Sequence, residues 1–397
     1  MRILLQSESY WPNKDGGAVF EHWLAHRLVA AGHKVAILAP GQKARAYVEK
    51  DGETTIFRTP AMPLPLNTVY KITYFAKTTA EKAVREFRPD VIHCNTMWLS
   101  SNSLLKIARR EKIPIVATNH LQPVNVLLSL PKFIKNSRVV DEKFWRVLVR
   151  FHNRFDAVTS PTPSATKLLR DFGLTKPLYD ISNGIDVDFY QPLAKPSAAS
   201  RDKRLAKLSV PDDYILYFGR VNKEKRLDML MKSFAKIAPK TTADLVIAGK
   251  GNDLENMQDL ARNLGVGGRV HFVGFISDEE KLALAQHAKL FAITSPAELQ
   301  SIVCLEAMAC GLPLVAVDIV ALKELCLDGK NGFLVQLDDE DGLTKALLTI
   351  LNNDKLRARF GQFSRDFVVK HHASEETLRK FIKLYECAMT GEFPAKL

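Results

Sequence analysis

Short apolar runs alternate with longer segments of helical periodicity along the whole chain. Arg2 to Gln6, His33 to Ala39, Thr54 to Thr59, Val91 to Cys94, Ile113 to Thr118, Ala157 to Ser160 and Leu178 to Ile181 read as strands. They are apolar almost without interruption, as strands are when both faces of a sheet are covered. Ala18 to Ala31 reads as a helix between the first two. This alternation predicts a parallel, doubly wound sheet. The pattern starts afresh at Tyr214 to Phe218 and continues through Ala243 to Ala248, Arg269 to Val273, Ala288 to Thr294 and Pro313 to Val317, where the second sheet is expected to end. Glu340 to Leu351, Asp354 to Lys370 and Glu375 to Met389 then close the chain as helices. A chain of 397 residues exceeds what one core fills, so two domains are expected. The reading divides it into a first domain over 1–190, a linker rich in Pro, Ala, Ser and Lys over 191–209, a second domain over 210–373 and a last helical segment over 374–397. The Asp186-Val187-Asp188 triplet follows the Asn183-Gly184 turn signal and reads as turn and linker, although such a triplet holds a metal in other settings.

The densest chemistry lies between Ser295 and Pro313. Pro296 disfavours helix at Ser295, Ser301 is a candidate N-cap, and Gly311 with Pro313 supplies the stop signals of a short helix. Glu298 precedes that helix. Glu306 falls inside it among Ile302, Val303, Leu305, Met308 and Ala309, a setting that implies burial and demands hydrogen-bond partners. The start of the helix offers free N–H groups and a positive dipole end, which suit phosphate. Taken singly, Glu298 also reads as a surface acid and Glu306 as a core acid paired with a Lys or Arg. Arg220 and Lys225 stand in the loop after the first strand of the second half, where cations would meet a phosphorylated ligand. Gly249 to Gly251 forms a glycine-rich turn after the next strand. Gly16-Gly17 sits between the first strand and the first helix but lacks GxGxxG, so no dinucleotide fingerprint is present.

Charge adds a surface to this picture. The net charge of +12 is concentrated in the first half, where residues 1–190 hold 27 Lys and Arg against 17 Asp and Glu. Asn136 to Phe155 reads as an amphipathic helix with Val140, Phe144, Val147, Leu148, Phe151 and Phe155 on one side. Lys143, Arg146, Arg150 and Arg154 form a basic stripe with Trp145 alongside. Such a helix fits an anionic membrane surface; it fits equally a helix packed on the sheet with its basic face in water. Basic residues are otherwise dispersed and no recognition module is present, so nucleic acid is not an expected partner. No apolar run is long enough to span a bilayer and the start of the chain turns polar too soon for a signal peptide, so a cytoplasmic location is expected, with peripheral attachment to the inner face of the membrane as a variant. Cys94, Cys304, Cys310, Cys326 and Cys387 form neither a CxxC pair nor a Cys/His cluster, and read as small core residues.

In order along the chain, the Gly16-Gly17 loop, Thr118-Asn119-His120, Ser182 to Asp186, Gly219-Arg220 with Lys225, Gly249 to Gly251, Phe272 to Gly274, and Glu298 with Glu306 eight residues later resemble the retaining GT-B glycosyltransferases of family 4. The resemblance implies two Rossmann-like domains facing a cleft, with a sugar nucleotide held mainly by the second. It implies that Arg220 and Lys225 neutralise the donor diphosphate and that Glu306 holds the ribose hydroxyls. Glu298, with backbone amides of Gln300, Ser301 and Ile302, would contact the transferred sugar. Ile276 and Lys281 would border the base, and the turn ending at Gly251 would belong to the same donor site. Gly16 and Gly17 would bring first-domain backbone against the donor, His120 would face the sugar from the acceptor side, and the final helix would cross back to the first domain. No cofactor and no divalent metal are expected, because two fixed cations and a helix terminus can do a metal's electrostatic work. The leaving phosphate is expected to receive the acceptor proton. Leu299-Gln300-Ser301 departs from the Phe-Gly of many relatives and is similar to the Thr-Gln-Gly of some glycolipid-forming ones. The expected reaction is therefore transfer of a hexose from a UDP- or GDP-sugar to a membrane lipid such as diacylglycerol or a phospholipid. A soluble or polysaccharide acceptor, and a sugar-nucleotide epimerase on the same fold, are the alternatives.

Overall fold

The computed structural model describes residues 1–12, 16–64, 67–73, 75–97, 99–121, 138–193 and 202–397. Residues 194–201 of the expected linker and the first two residues of the expected basic helix lie outside them. The chain forms two compact units, Met1–Asn183 with Thr377–Leu397, and Gly184–Glu376.

The described residues of the first unit form ten strands: β1 (Arg2–Gln6), β2 (Lys34–Pro40), β3 (Tyr47–Asp51), β4 (Thr54–Thr59), β5 (Ala61–Leu64), β6 (Asn67–Thr73), β7 (Val91–Cys94), β8 (Ile115–Thr118), β9 (Ala157–Ser160) and β10 (Leu178–Asp180). Eight of them make one sheet in the order β10-β9-β8-β7-β1-β2-β4-β3, and β5 pairs with β6 separately. All neighbours in the large sheet run parallel except β3, which pairs antiparallel with β4 at the edge. Successive β1 residues feed opposite faces. Leu4 joins the cluster with Ala36, Ile92 and Leu148, while Ile3 and Leu5 join the one with Val35, Val91 and Phe381. Both faces are therefore dry, which is why these strands read as continuous apolar runs. Phe381, Leu384 and Tyr385 of the Ser374–Thr390 helix complete the second face, and Tyr385 and Nδ1 of buried His93 form a 2.8 Å hydrogen bond.

The second unit carries β11 (Tyr214–Phe218), β12 (Asp244–Ala248), β13 (Val270–Gly274), β14 (Leu290–Ile293), β15 (Leu314–Val317) and β16 (Gly332–Val335). They form an all-parallel sheet in the order β13-β12-β11-β14-β15-β16. The sheet therefore does not end at Val317. β16 escapes a pattern reading because it is four residues long and starts with Gly332, a residue that reads as a turn. That glycine is required by packing: a Cβ there would stand 2.0 Å from the Leu314 carbonyl oxygen.

Two sequence expectations change. Gly184–Tyr190 belongs to the second unit, with Ile185, Val187 and Tyr190 in its core; Arg365 holds it there by donating to the Val187 and Tyr190 carbonyls. Trp145 is not on the basic face of its helix. It is 5% exposed and stacks on Phe172 with ring centroids 5.3 Å apart, because its large apolar ring gains more from the core than from water.

Candidate active site

In the second unit β11 and β14 are neighbours although β12 and β13 intervene in sequence, so the winding of the sheet reverses between them. Open parallel sheets bind ligands beyond the carboxyl ends of their strands at such a point. The loop leaving β11 carries Arg220 and Lys225, and the one leaving β14 carries Glu298, Gln300 and Ser301. Lys225 Nζ donates to Glu298 Oε1 at 2.7 Å, with the two side chains only 13% and 12% exposed. Thr294 Oγ1 ties the loops together through the carbonyls of Lys225 and Arg226, at 3.0 and 2.9 Å. Arg220 is positioned through its backbone, whose carbonyl accepts from the Tyr217 hydroxyl at 2.8 Å. Its guanidinium is 58% exposed, 3.6 Å from Glu224, and so remains open to an incoming anion.

The loops after β11 and β12 pack backbone to backbone. Val221 N–H donates to the Lys250 carbonyl, and Gly249 holds a φ of 148° where a Cβ would fall 1.8 Å from the Gly219 oxygen. Gly251 is equally constrained, its Cβ position being 2.0 Å from the Val221 oxygen. These glycines set the shape of the strand ends, whatever else they contact.

The Ile302–Ala309 helix begins at Ser301, whose hydroxyl makes no capping bond. The Ser301 carbonyl accepts from the N–H groups of Cys304 and Leu305, and among the described residues the Ile302 and Val303 amides, at the first turn, have no acceptor within the helix. One turn on, buried Glu306 accepts through Oε1 from Lys281 Nζ at 2.7 Å and from the Tyr190 hydroxyl at 3.0 Å. Its other oxygen, Oε2, is buried without a hydrogen-bond partner among the described residues. Burial pushes the Glu306 carboxyl above its ordinary range, and Lys281 works against that shift. Burial pulls down on the Lys281 ammonium, and Glu306 with Asp278 outweigh it and raise it. A 2.7 Å contact away from water favours the ion pair. Lys281 sits in the first turn of the Asp278–His287 helix, which a Ser277/Glu280 capping box starts, and Ile276 is buried just before that box. Gln300 is also buried. Tyr190 is a member of this cluster that the sequence does not reveal, since it is one aromatic residue at the edge of a turn.

In the first unit β7 pairs with β1 on the side opposite β2, a second point of reversed winding. His120 follows β8 at that end of the sheet. Its ring lies 5.1 Å from that of Phe20, its Nε2 is buried without a partner among the described residues, and burial pushes its pKa down to about 4. It is therefore a neutral imidazole at pH 7. Gln6 Oε1, both amide atoms of Asn95 and Asn119 Nδ2 are likewise buried without partners among the described residues, at the ends of β1, β7 and β8. Beside them Glu8 accepts from Thr73 Oγ1 at 2.8 Å and is bonded by Ser100 Oγ, while burial raises its carboxyl above the ordinary range. A polar residue at the end of each apolar run was the available signal for Gln6 and Asn95. Gly16 and Gly17 open the Gly16–Ala30 helix. Lys143, Arg146, Arg150 and Arg154 are all exposed, with exposed Val139 before them and Val147 between them, so the basic stripe exists without Trp145. No helix among the described residues is long and apolar enough to cross a membrane.

Residues 15–189 match the family description Glycosyltransferase Family 4, and residues 200–367 match Glycosyl transferases group 1. Together with the two Rossmann-like units, these matches make the chain a glycosyltransferase of the GT-B fold. It is 23% identical to the N-acetyl-alpha-D-glucosaminyl L-malate synthase of Bacillus anthracis, over 94% of each chain. It is 26% identical to the alpha-monoglucosyldiacylglycerol synthase of Streptococcus pneumoniae, over 88% of this chain and 78% of that one. The structure of Anabaena HepE in complex with UDP-glucose superposes with a TM-score of 0.74 at 19% identity, over 97% of this chain and 99% of that one, a likeness of fold.

Proposed function

We propose that the protein transfers a hexose, with retention of configuration, from a UDP- or GDP-sugar to the head of a membrane lipid such as diacylglycerol or a phospholipid. The observation that carries the donor half is the pairing of Lys225 with Glu298 and of Lys281 with Glu306 at the β11/β14 end of the sheet, with the open amides of Ile302 and Val303 between them in sequence. In this reading the diphosphate takes Lys225 from Glu298 and meets Arg220 and the helix N-terminus. The bond between the anomeric carbon and the phosphate oxygen breaks, its electron pair stays on that oxygen, and these groups neutralise the charge. Glu298 then faces the cationic sugar. The acceptor hydroxyl bonds to the anomeric carbon from the same face and passes its proton to the leaving phosphate. Glu306 Oε2 takes a ribose hydroxyl, and Ile276 lies toward the base. The chemistry assigned to these residues requires no divalent metal or cofactor. Support for the donor class comes from HepE, which binds UDP-glucose. Support for the lipid comes from the pneumococcal diacylglycerol relative and from the exposed Lys143, Arg146, Arg150 and Arg154 face, which suits an anionic leaflet.

A soluble acceptor is the second reading. It is favoured by the unpartnered polar atoms of Gln6, Asn95 and Asn119, which suit a hydroxyl-rich molecule, and by the malate-glycosylating relative. Incubation with a panel of sugar nucleotides plus membrane lipid extract, followed by mass analysis, separates the two: a hexosylated lipid supports the first, a product in the aqueous phase the second. UDP or GDP titration should give at least tenfold weaker binding for Lys225→Ala and Glu306→Gln. Absence of nucleotide binding, or binding indifferent to both substitutions, defeats the donor assignment. Flotation with anionic liposomes should recover the protein at low salt and lose it as salt rises.

A further inference from the structure

The Gly16–Ala30 helix of the first unit carries His22 and His26 one turn apart, so both imidazoles leave the same face. Asp51 ends β3 at the tip of the β3–β4 hairpin, opposite Thr54. His22 Nε2 lies 3.2 Å and His26 Nε2 3.0 Å from the same oxygen, Asp51 Oδ2. The three candidate ligand atoms lie within 4.8 Å of one another, and the two rings are 4.3 Å apart between centroids. One imidazole N–H would satisfy that oxygen; here two nitrogens converge on it. In a tetrahedral site with bonds of about 2.0–2.2 Å, ligand atoms stand about 3.3–3.6 Å apart. The two observed N···O separations need to open by only a few tenths of an ångström. A His-x-x-x-His pair on one helix face is a known way to present two nitrogens to zinc. Tyr10 steadies the carboxylate from another side, its hydroxyl 3.4 Å from the same Oδ2. His22, His26 and Asp51 are 37%, 46% and 27% exposed, so an ion can enter from solvent and keep a water as its remaining ligand.

We propose that His22, His26 and Asp51 form a binding site for a divalent transition-metal ion, zinc first, that clamps the first helix to the β3–β4 hairpin. Two imidazoles with one carboxylate select borderline ions over magnesium or calcium, which prefer oxygen alone. The site uses no residue assigned above to donor or acceptor, and its readout is binding, so it stands or falls apart from the transferase reading. The only sequence signal is the four-residue histidine spacing, because Asp51 is brought in by the hairpin.

Calorimetric titration of the chelator-treated, tag-free full chain with zinc chloride tests it. One zinc per chain is expected, with binding at least tenfold weaker in His22→Ala, in His26→Ala and in Asp51→Asn. Zinc should raise the melting temperature of the wild type and leave that of the His22→Ala/His26→Ala variant unchanged, while magnesium moves neither. The three side chains are partly exposed, so circular dichroism of the zinc-free variants should match the wild type. Should the double variant fail to fold, Asp51→Asn and the visible spectrum of the cobalt-loaded wild type decide the question, a tetrahedral cobalt spectrum that Asp51→Asn weakens being the expected result. Lack of stoichiometric zinc binding, or binding that survives either the double substitution or Asp51→Asn, overturns the proposal.

Discussion

Glu298 and Glu306 are both acids in contact with a lysine at 2.7 Å, yet their surroundings give them different consequences on substitution. Lys225 can exchange Glu298 for a phosphate, so Glu298→Gln removes charge beside the sugar while leaving the nucleotide its cation. The expected outcome is a fall in kcat of about 10²-fold or more, with nucleotide affinity held within about threefold, measured by steady-state kinetics beside UDP or GDP titration. Equal losses in both would show that Glu298 serves binding. Glu306 sits deeper, with Tyr190 as a second partner. Glu306→Ala leaves the Lys281 ammonium with Asp278 and the Tyr190 hydroxyl as its remaining partners, so the loss should fall below the ~3–5 kcal/mol of a buried pair broken with no other partner. Glu306→Gln keeps an oxygen for Tyr190 and should lose clearly less, as read from denaturant midpoints. Each acid was legible in sequence as an acid near a helix start. Their partners were not, because Lys225 lies 73 residues from Glu298 and Tyr190 lies 116 residues from Glu306.

Elements with both faces buried declare themselves in sequence. Val91–Cys94, Ala157–Ser160 and Tyr214–Phe218 form over the same residues that their apolar runs indicate. The strands that escape are those where the rule does not apply. β3 is a polar edge strand, Tyr-Val-Glu-Lys-Asp, paired on one side only, and β16 is short and glycine-led. The loops at the carboxyl ends are held by backbone contact, which makes their glycines intolerant of substitution. Gly249→Ala should destabilise the second unit by more than about 3 kcal/mol, since it combines a φ of 148° with a Cβ 1.8 Å from the Gly219 oxygen. Gly268→Ala, where nothing lies within 4 Å, should stay within about 0.5 kcal/mol. Thermal unfolding of the pair makes the comparison, and similar losses in both would mean that the close approach is relieved by a backbone shift.

On the scale of the molecule, the described residues of the first unit include three neutral histidines, His93 and His152 buried and His120 half-buried. Burial pushes His93 down to about 3, and His120 and His152 down to about 4, from 6.5. Between about pH 4 and 6.5 the unfolded chain binds protons that the folded unit refuses, so stability rises with pH by about 1.4 kcal/mol per pH unit for each such histidine, and is flat above that window. The unfolding transition of the first unit should therefore move to lower temperature between pH 7 and pH 5. His152→Gln should make the dependence shallower, with the raised carboxyl of Glu8 acting in the opposite sense, as followed by scanning calorimetry. A transition indifferent to pH over that range would contradict the buried, neutral state. His152 Nδ1 already has a partner in the Leu148 carbonyl at 2.8 Å, so the substitution leaves a small change in packing.

The order of residues alone determined the doubly wound fold class and the presence of two domains, and it placed Arg220, Lys225 and Glu298 in loops after strands and Glu306 inside a short helix, because strand alternation, capping and loop position are local properties. Tertiary structure decided what each of these touches. It set Lys225 against Glu298 and Lys281 with Tyr190 against Glu306, it moved Gly184–Tyr190 into the second unit, and it buried Trp145 in the core. It also brought Asp51 to His22 and His26. Contacts between distant residues depend on which strands pair and which faces close, and periodicity along the chain does not carry that information.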